Sequence, residues 1–221
     1  MNAPPMIDKL KLEPSPIRIG DIRLELLTVE NIEPFLSELE DKGDEALQSF
    51  PYWIKVWESA IILAAHLAEQ RLDKNKTVLE LGAGMGVVGM FLAASGHPVT
   101  LTDYNDDALA LMKRNVDRNN LSSARIQKLD WNDPPRSMGK YDIVCGAELV
   151  YRQTDAEPVL QAIRECLEPD GTAYIAHNIR QISMIEFLAQ AGKLFDIAHA
   201  GKSITMDGKK KQVVIHTMGR L

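Results

Sequence analysis

The sequence predicts an α/β fold built on a mainly parallel sheet, with helices on both faces and an antiparallel strand near the C-terminus. Three observations carry that reading. From Thr77 onward, short apolar runs alternate with stretches of helical periodicity. The first of these runs passes through a glycine-rich turn, Glu80 to Gly89, straight into a helix. The last two runs follow one another with only a turn between them, as antiparallel neighbours do.

The elements follow in order. Residues 1–16 hold four prolines and little periodicity, so they read as a loose leader. Ile17, Ile19, Ile22, Leu24 and Leu26 alternate around Gly20-Asp21 and predict a β-hairpin. The acidic stretch 31–50, with Glu33, Glu38, Glu40, Asp41, Asp44 and Glu45, predicts a short helix and a mobile loop. Residues 57–70 predict a helix with Ile61, Ala64, Leu67 and Ala68 on its apolar face. Strands are then expected at Thr77 to Leu81, Pro98 to Thr102, Arg125 to Leu129 and Tyr141 to Gly146. Helices are expected at Val87 to Ala94 and over 106–118, where Ala108, Leu109, Met112 and Val116 share a face.

A helix near 155–167 buries Val159, Leu160, Ile163 and Leu167 and carries a capping-box pattern in Thr154-x-x-Glu157. Pro169-Asp170-Gly171 turns the chain into a strand from Thr172 to Ala176. A helix over 181–191 precedes two final strands, Leu194 to Ala198 and Gln212 to Thr217, joined by a turn containing Lys209, Lys210 and Lys211. The domain expectation is an extension over 1–50 and one catalytic domain over 51–221.

Bulk composition narrows the function. A chain of 221 residues suits one well-buried domain. Its net charge of −6 argues against a nucleic-acid partner, which needs a concentrated basic surface. No apolar run reaches the roughly 18 residues that span a bilayer, and the first residues lack the apolar core of a signal peptide. The expectation is a cytoplasmic protein with no membrane partner. Cys145 and Cys166 have no CxxC spacing and read as reduced core residues, and the five histidines stand singly in the sequence, which predicts no metal site.

The turn itself admits two ligands. Gly84, Gly86 and Gly89 satisfy the G-x-G-x-x-G dinucleotide pattern. Gly82, Gly84 and Gly86, with Glu80 two places ahead, satisfy E/D-x-G-x-G-x-G. A dinucleotide brings an anionic pyrophosphate, which a carboxylate facing the turn would repel; a cationic ligand would be attracted.

In such a sheet, ligands sit beyond the carboxyl ends of the strands. Asp103 follows the second strand and can accept from both hydroxyls of a ribose, or cap the next helix as Asn105 and Asp106 also could. After the third strand, Trp131 can stack on a purine beside Asp130, or simply pack over the loop. The fourth strand ends in Gly146-Ala147-Glu148-Leu149-Val150-Tyr151. Glu148 and Tyr151 face the same rim, as would His177 and Asn178 after the fifth strand.

The order of these segments, Trp53 to Ser59, ELGAGMG, TDYN, LDW and Ala-Glu-x-x-Tyr, resembles the seven-β-strand, non-SET protein-lysine methyltransferases, whose fourth strand ends in D/E-x-x-Y/F. The resemblance covers roughly residues 50–217. It implies a Rossmann-like class I methyltransferase sheet and a transferase that uses S-adenosyl-L-methionine (SAM) and releases S-adenosyl-L-homocysteine. It implies cofactor contacts from Trp57, Gly82, Gly84, Asp103, Trp131 and Ala147, and the same motif segments add Glu80, Ala83, Gly86, Tyr104 and Asp130. It places Glu148 and Tyr151 at the acceptor lysine of a protein substrate. Met85 stands where family members often have Thr.

Methyl transfer from a sulfonium is an in-line displacement that requires a neutral amine held with its lone pair aligned. A lysine ammonium, with pKa about 10.4, must first lose a proton. Glu148 could attract the cationic side chain and orient the amine, while Tyr151 accepts a hydrogen bond or packs on the stem. Three alternatives stay open within these residues: a small-molecule N-methyltransferase of the same fold, a non-enzymatic binding module that keeps the nucleotide pocket, and an NAD(P)-dependent oxidoreductase, against which stand Glu80 and the lack of a Tyr-x-x-x-Lys pair.

Overall fold

The computed structural model describes residues 6–35, 37, 50–132, 138–206 and 208–221. The strands are β1 Leu12–Ile19, β2 Ile22–Val29, β3 Val78–Glu80, β4 Val99–Asp103, β5 Ala124–Lys128, β6 Tyr141–Ala147, β7 Leu167–Asn178, β8 Phe195–Met206 and β9 Lys209–Arg220. The helices are α1 Glu58–Glu69, α2 Val87–Ala94, α3 Asp106–Arg118, α4 Ala156–Cys166 and α5 Met184–Ala191. A seven-stranded sheet has the order β5-β4-β3-β6-β7-β9-β8, and β1 and β2 form a separate hairpin. Only β9 is antiparallel to its neighbours β7 and β8 within that sheet, as expected for this fold class.

Side-chain alternation divides the core into two layers. Val78, Ile143, Cys145, Tyr174 and Ala176 face the layer of α1, α2 and α3. Leu79, Val144, Ala173 and Ile175 face the layer of α4 and α5. Strands buried on both faces read as unbroken apolar runs, which is why β3 and β6 were legible. β3 lies between β4 and β6, so the chain winds outward in both directions from that pair. A crevice opens at their carboxyl ends.

The leader is not loose from residue 6 onward. Met6–Lys9 is a 3-10 turn that buries Ile7, whose N–H donates to Asp107 Oδ1 at 3.0 Å. β1 starts at Leu12 and includes Pro14 and Pro16. These prolines face Leu27 and Glu25 of β2, whose own N–H groups point the other way, to Asn115 Oδ1 (2.6 Å) and Asn119 Oδ1 (2.9 Å) of α3. The missing proline donors therefore remove no ladder bond. The two asparagines, one helical turn apart, bind the free edge of β2 as another strand would.

Other elements depart in detail. α1 buries Ile62, Leu63, Ala64 and Leu67 and leaves Ala68 exposed, because it packs on both α2 and the sheet. Thr154 does not cap α4; it is exposed, and Asp155 instead accepts from the Arg152 N–H at 2.8 Å. Pro169 to Gly171 forms a bulge within β7 rather than a turn before it. Lys209, Lys210 and Lys211 belong to β9, and Lys211 pairs with Glu58 at 3.2 Å. Residues 33–35 and 37 are helical. The first five residues, Glu38, Glu40, Asp41, Asp44, Glu45 and Asp207 lie outside the described residues. Among the described residues no helix is long and apolar enough to cross a membrane.

Three histidines that stand singly in sequence meet across β7, β9 and β8. His177 Nδ1 lies 2.8 Å from the Asn178 carbonyl, which can only accept, so that nitrogen carries the proton. His216 Nε2 then donates to His177 Nε2 at 2.7 Å, and His199 Nδ1 donates to His216 Nδ1 at 2.7 Å. All three bonds are satisfied by neutral rings. The partners use opposite nitrogens of His216, so the rings share no point for a metal ion. Burial, reinforced by repulsion from His177 and His199 as those rings take up protons, lowers His216 to about 4 from the ordinary 6.5. The unfolded chain therefore takes up this proton first, and the stability the group contributes is present above about pH 6.5 and lost as the pH falls toward about 4. Thermal unfolding of the wild type should lose stability over that window relative to His216→Gln; parallel pH profiles for the two proteins would contradict it.

Candidate active site

A cavity of about 780 Å³ opens at the carboxyl ends of β3, β4 and β6. From the turn after β3 it receives Glu80, Gly82, Ala83 and Gly84; from the end of β4, Asp103 and Tyr104. Asp130 and Trp131 close one side after β5, and Ala147, Glu148 and Tyr151 close the other after β6. Trp57, just ahead of α1, completes the wall. Gly86 does not line the cavity: it is the N-cap of α2, with φ +80°. His177 is buried against His216, and neither it nor Asn178 lines the cavity; the Asn178 N–H donates to Glu148 behind the rim.

Local chemistry explains the turn. Gly82 has φ +55°, and a Cβ there would stand 2.9 Å from Leu149 Cδ2 and 3.1 Å from the Trp131 ring. The backbone is thus pressed against the indole, leaving its open side to the cavity. Asp103 binds the turn from β4: Oδ2 accepts the Gly84 N–H at 2.9 Å and Oδ1 accepts the Asn105 N–H at 3.0 Å. The carboxyl keeps acceptor capacity for a ligand hydroxyl beside these bonds. Asn105, not Asp103, caps α3, accepting from Asp107 and Ala108. Burial pushes the Asp103 carboxyl up.

Glu80 behaves differently from the sequence expectation. Its carboxyl is buried, and Oε2 accepts the Gly89 N–H in the first turn of α2 at 2.7 Å. A Cβ on Gly89 would lie 2.7 Å from that oxygen and 2.4 Å from Leu101 Cδ2, so the fourth glycine serves close helix-to-strand packing. Glu80 therefore disfavours a pyrophosphate by taking the helix N-terminus that would bind it. Burial raises its pKa to about 8, so at neutral pH the carboxyl of the free protein is mostly protonated.

The opposite rim is aromatic. Glu148 is a non-glycine residue at φ +55°, held there by its N–H donating to the Ala176 carbonyl at 2.9 Å. Its Oε1 accepts the Asn178 N–H at 2.9 Å, and burial pushes its carboxyl up. Tyr151 stacks on Tyr52 with centroids 4.2 Å apart and meets Trp57 edge-on at 6.5 Å. Trp57 Nε1 donates to the Tyr52 carbonyl at 2.9 Å. Burial pushes the Tyr151 hydroxyl well up. Tyr52, Arg152 and Asp155 also line the cavity and had no motif to announce them; Tyr52, adjoining the tryptophan segment, was the one findable signal.

Comparison with known proteins identifies the frame. The sequence model of a family described as lysine methyltransferase matches residues 46–193. The chain belongs to this lysine methyltransferase family. EEF1A lysine methyltransferase 3 of Mus musculus is 37% identical over 130 residues, 57% of this chain and 56% of that protein. Its Xenopus tropicalis counterpart is 35% identical, and the chain spans 58% of it, so each is matched over little more than half its length. Protein N-lysine methyltransferase METTL21A of Danio rerio is 28% identical over 76% of this chain and 85% of that one.

Solved structures share the fold. A TehB-like SAM-dependent methyltransferase from Corynebacterium glutamicum aligns with a TM-score of 0.58 at 19% identity, over 87% of this chain and 97% of that one. A putative RNA methyltransferase from Pyrococcus horikoshii aligns with a TM-score of 0.61 at 17% identity, over 77% and 90%. The sheet is that of the class I methyltransferases, and SAM is the cofactor of the lysine methyltransferase family. The residues present fit it: an open glycine backbone, a ribose-compatible Asp103, an indole at the rim and no free helix N-terminus for a phosphate.

Glu80 gives the site a second, opposite pH signature. Its folded value is raised, so the stability it contributes is complete below about pH 4.5 and is lost as the pH rises through about 8. Glu80→Gln keeps an acceptor for the Gly89 N–H but cannot ionise. Urea unfolding should show the variant gaining on the wild type between about pH 5 and pH 9, and a constant difference would mean that the carboxyl ionises freely in the fold.

Proposed function

We propose that this protein is a SAM-dependent N-methyltransferase that methylates a lysine side chain of a protein substrate, and that it works in the cytoplasm. The observation that carries this reading is Glu148, a buried carboxyl held in a left-handed backbone conformation at the cavity rim with Tyr151 beside it. The lysine methyltransferases among its relatives support the acceptor class, and the two buried free cysteines suit a reducing compartment. Residues 51–221 are assigned as the catalytic domain and 1–50 as an extension, of which the Met6–Lys9 turn and β2 bond to Asp107, Asn115 and Asn119.

In this reading Gly82, Ala83 and Gly84 receive the cofactor's amino-acid portion, and Asp103 accepts from its ribose hydroxyls. Tyr104, Asp130 and Trp131 surround the purine; Trp57 and Ala147 close on the methyl end. Glu80 and Gly86 shape the turn. The bound cofactor supplies an electrophilic methyl group on a positive sulfur. Glu148 draws in the lysine ammonium and, as the proton leaves, orients the neutral amine. Tyr151 packs against the methylene stem with its ring fixed by Tyr52. The main contribution of the chain is placement, which in-line displacement rewards most.

Incubation with radiolabelled SAM and host lysate should label a protease-sensitive band, and hydrolysis of that band should release methyl-lysine. Methyl-histidine or methyl-arginine would change the acceptor, and label confined to small molecules would establish the alternative of a small-molecule N-methyltransferase. Asp103→Ala should weaken SAM binding by about 1–3 kcal/mol in calorimetry. Glu148→Gln should leave that affinity intact while suppressing turnover; equal losses in both would place Glu148 in the cofactor site instead.

A further inference from the structure

One cation already sits in the candidate acceptor site. Lys55 lines the same cavity as Glu148 and Tyr151, on an extended residue between the Tyr52–Ile54 3-10 turn and the start of α1. Its Nζ lies 4.6 Å from the centre of the Trp57 ring, the ring that meets Tyr151 edge-on. Its side chain is 31% exposed, so the ammonium is partly withdrawn from water over an aromatic face. The tether is weak: Nζ is 3.8 Å from Glu58 Oε2, while the other Glu58 oxygen is engaged by Lys211 at 3.2 Å. The Lys55 charge also helps hold down the Glu148 carboxyl, against the burial that raises it.

We propose that Lys55 is a methyl acceptor for its own chain, modified in cis at the active site when SAM is bound. This rests on the methyl-transfer reading above and adds a modification site to it. The Lys55 ammonium releases a proton to solvent, its nitrogen lone pair forms the new N–C bond, and the S–C bond breaks with its electron pair passing to sulfur. The sulfonium becomes the neutral thioether of S-adenosylhomocysteine. An amine carried on the cavity wall meets the methyl group without a bimolecular encounter, which is the entropic advantage of an intramolecular acceptor. Methylation keeps the positive charge, so the product still stacks on Trp57. A resident lysine of this kind would compete with a protein substrate for the same rim.

The full-length protein, incubated with SAM and no other protein, should gain the mass of one to three methyl groups, located at Lys55 by peptide sequencing and lost in Lys55→Arg. The rate per molecule should not change with protein concentration. In protein without SAM, an amine-acylating reagent should modify Lys55, and added S-adenosylhomocysteine should slow that reaction several-fold while sparing exposed Lys113. Methylation of lysate protein with Lys55 unmodified would overturn this inference and leave the proposed function standing. So would a rate proportional to protein concentration, or Lys55 acylation indifferent to S-adenosylhomocysteine. Absence of both lysate and Lys55 labelling would overturn both readings.

Discussion

The hydrogen bond from the Gly89 N–H to the buried Glu80 carboxyl is the constraint around which the site is built. It joins the end of β3 to the first turn of α2 and so fixes where the intervening glycines pass. Neighbouring bonds complete the frame: Thr102 Oγ1 donates to the Glu80 carbonyl at 2.7 Å, and the Ala83 N–H donates to the Thr102 carbonyl at 2.8 Å. With the Gly84 N–H on Asp103, the turn is tied to both β3 and β4. An internal carboxyl has replaced the external anion that would otherwise satisfy the helix N-terminus. The three glycines that match a dinucleotide pattern therefore lead into a helix whose N-terminus is already engaged by Glu80.

The opposite wall depends on backbone geometry. A left-handed glutamate is costly, on the order of 1–3 kcal/mol, and Glu148 is retained there by bonds at both its backbone and its side chain, to Ala176 and Asn178 of β7. Those partners belong to one strand, so β7 sets the height of the carboxyl above the sheet. The aromatic set Tyr52, Trp57 and Tyr151 comes from two segments far apart in sequence and meets only because β6 ends beside the entry to α1. A rigid carboxyl beside a fixed aromatic wall can hold an alkylammonium in one orientation.

The parts legible in the sequence are those with a local cause. β3, α2, α3 and β6 came out within a residue or so because apolar runs and periodicity are local signals, and Gly82, Asp103, Trp131 and Glu148 were findable because each follows a strand. What escaped depends on distant partners. Pro14 and Pro16 discourage a strand, yet their partners Leu27 and Glu25 in β2 turn their N–H groups away to Asn115 and Asn119, so the prolines remove no ladder bond. Thr154 offered a capping pattern that Asp155 pre-empted. The histidines looked solitary because their meeting requires the β7-β9-β8 register. Glu80 was found but its role was not, since direction of a side chain toward a helix or a cavity is not written in spacing.

The three acids of the cavity share one electrostatic condition. Glu80, Asp103 and Glu148 all have carboxyls pushed up, and burial is the leading cause each time. Ionising them in the free protein costs solvation, which the charge of Lys55 offsets in part at Glu148. A ligand carrying positive charge reverses the balance, since its field favours the ionised acids and their ionisation favours the ligand. Burial makes all three carboxyls hold a proton more readily than they would in water, and the positive field of a cationic ligand opposes that shift.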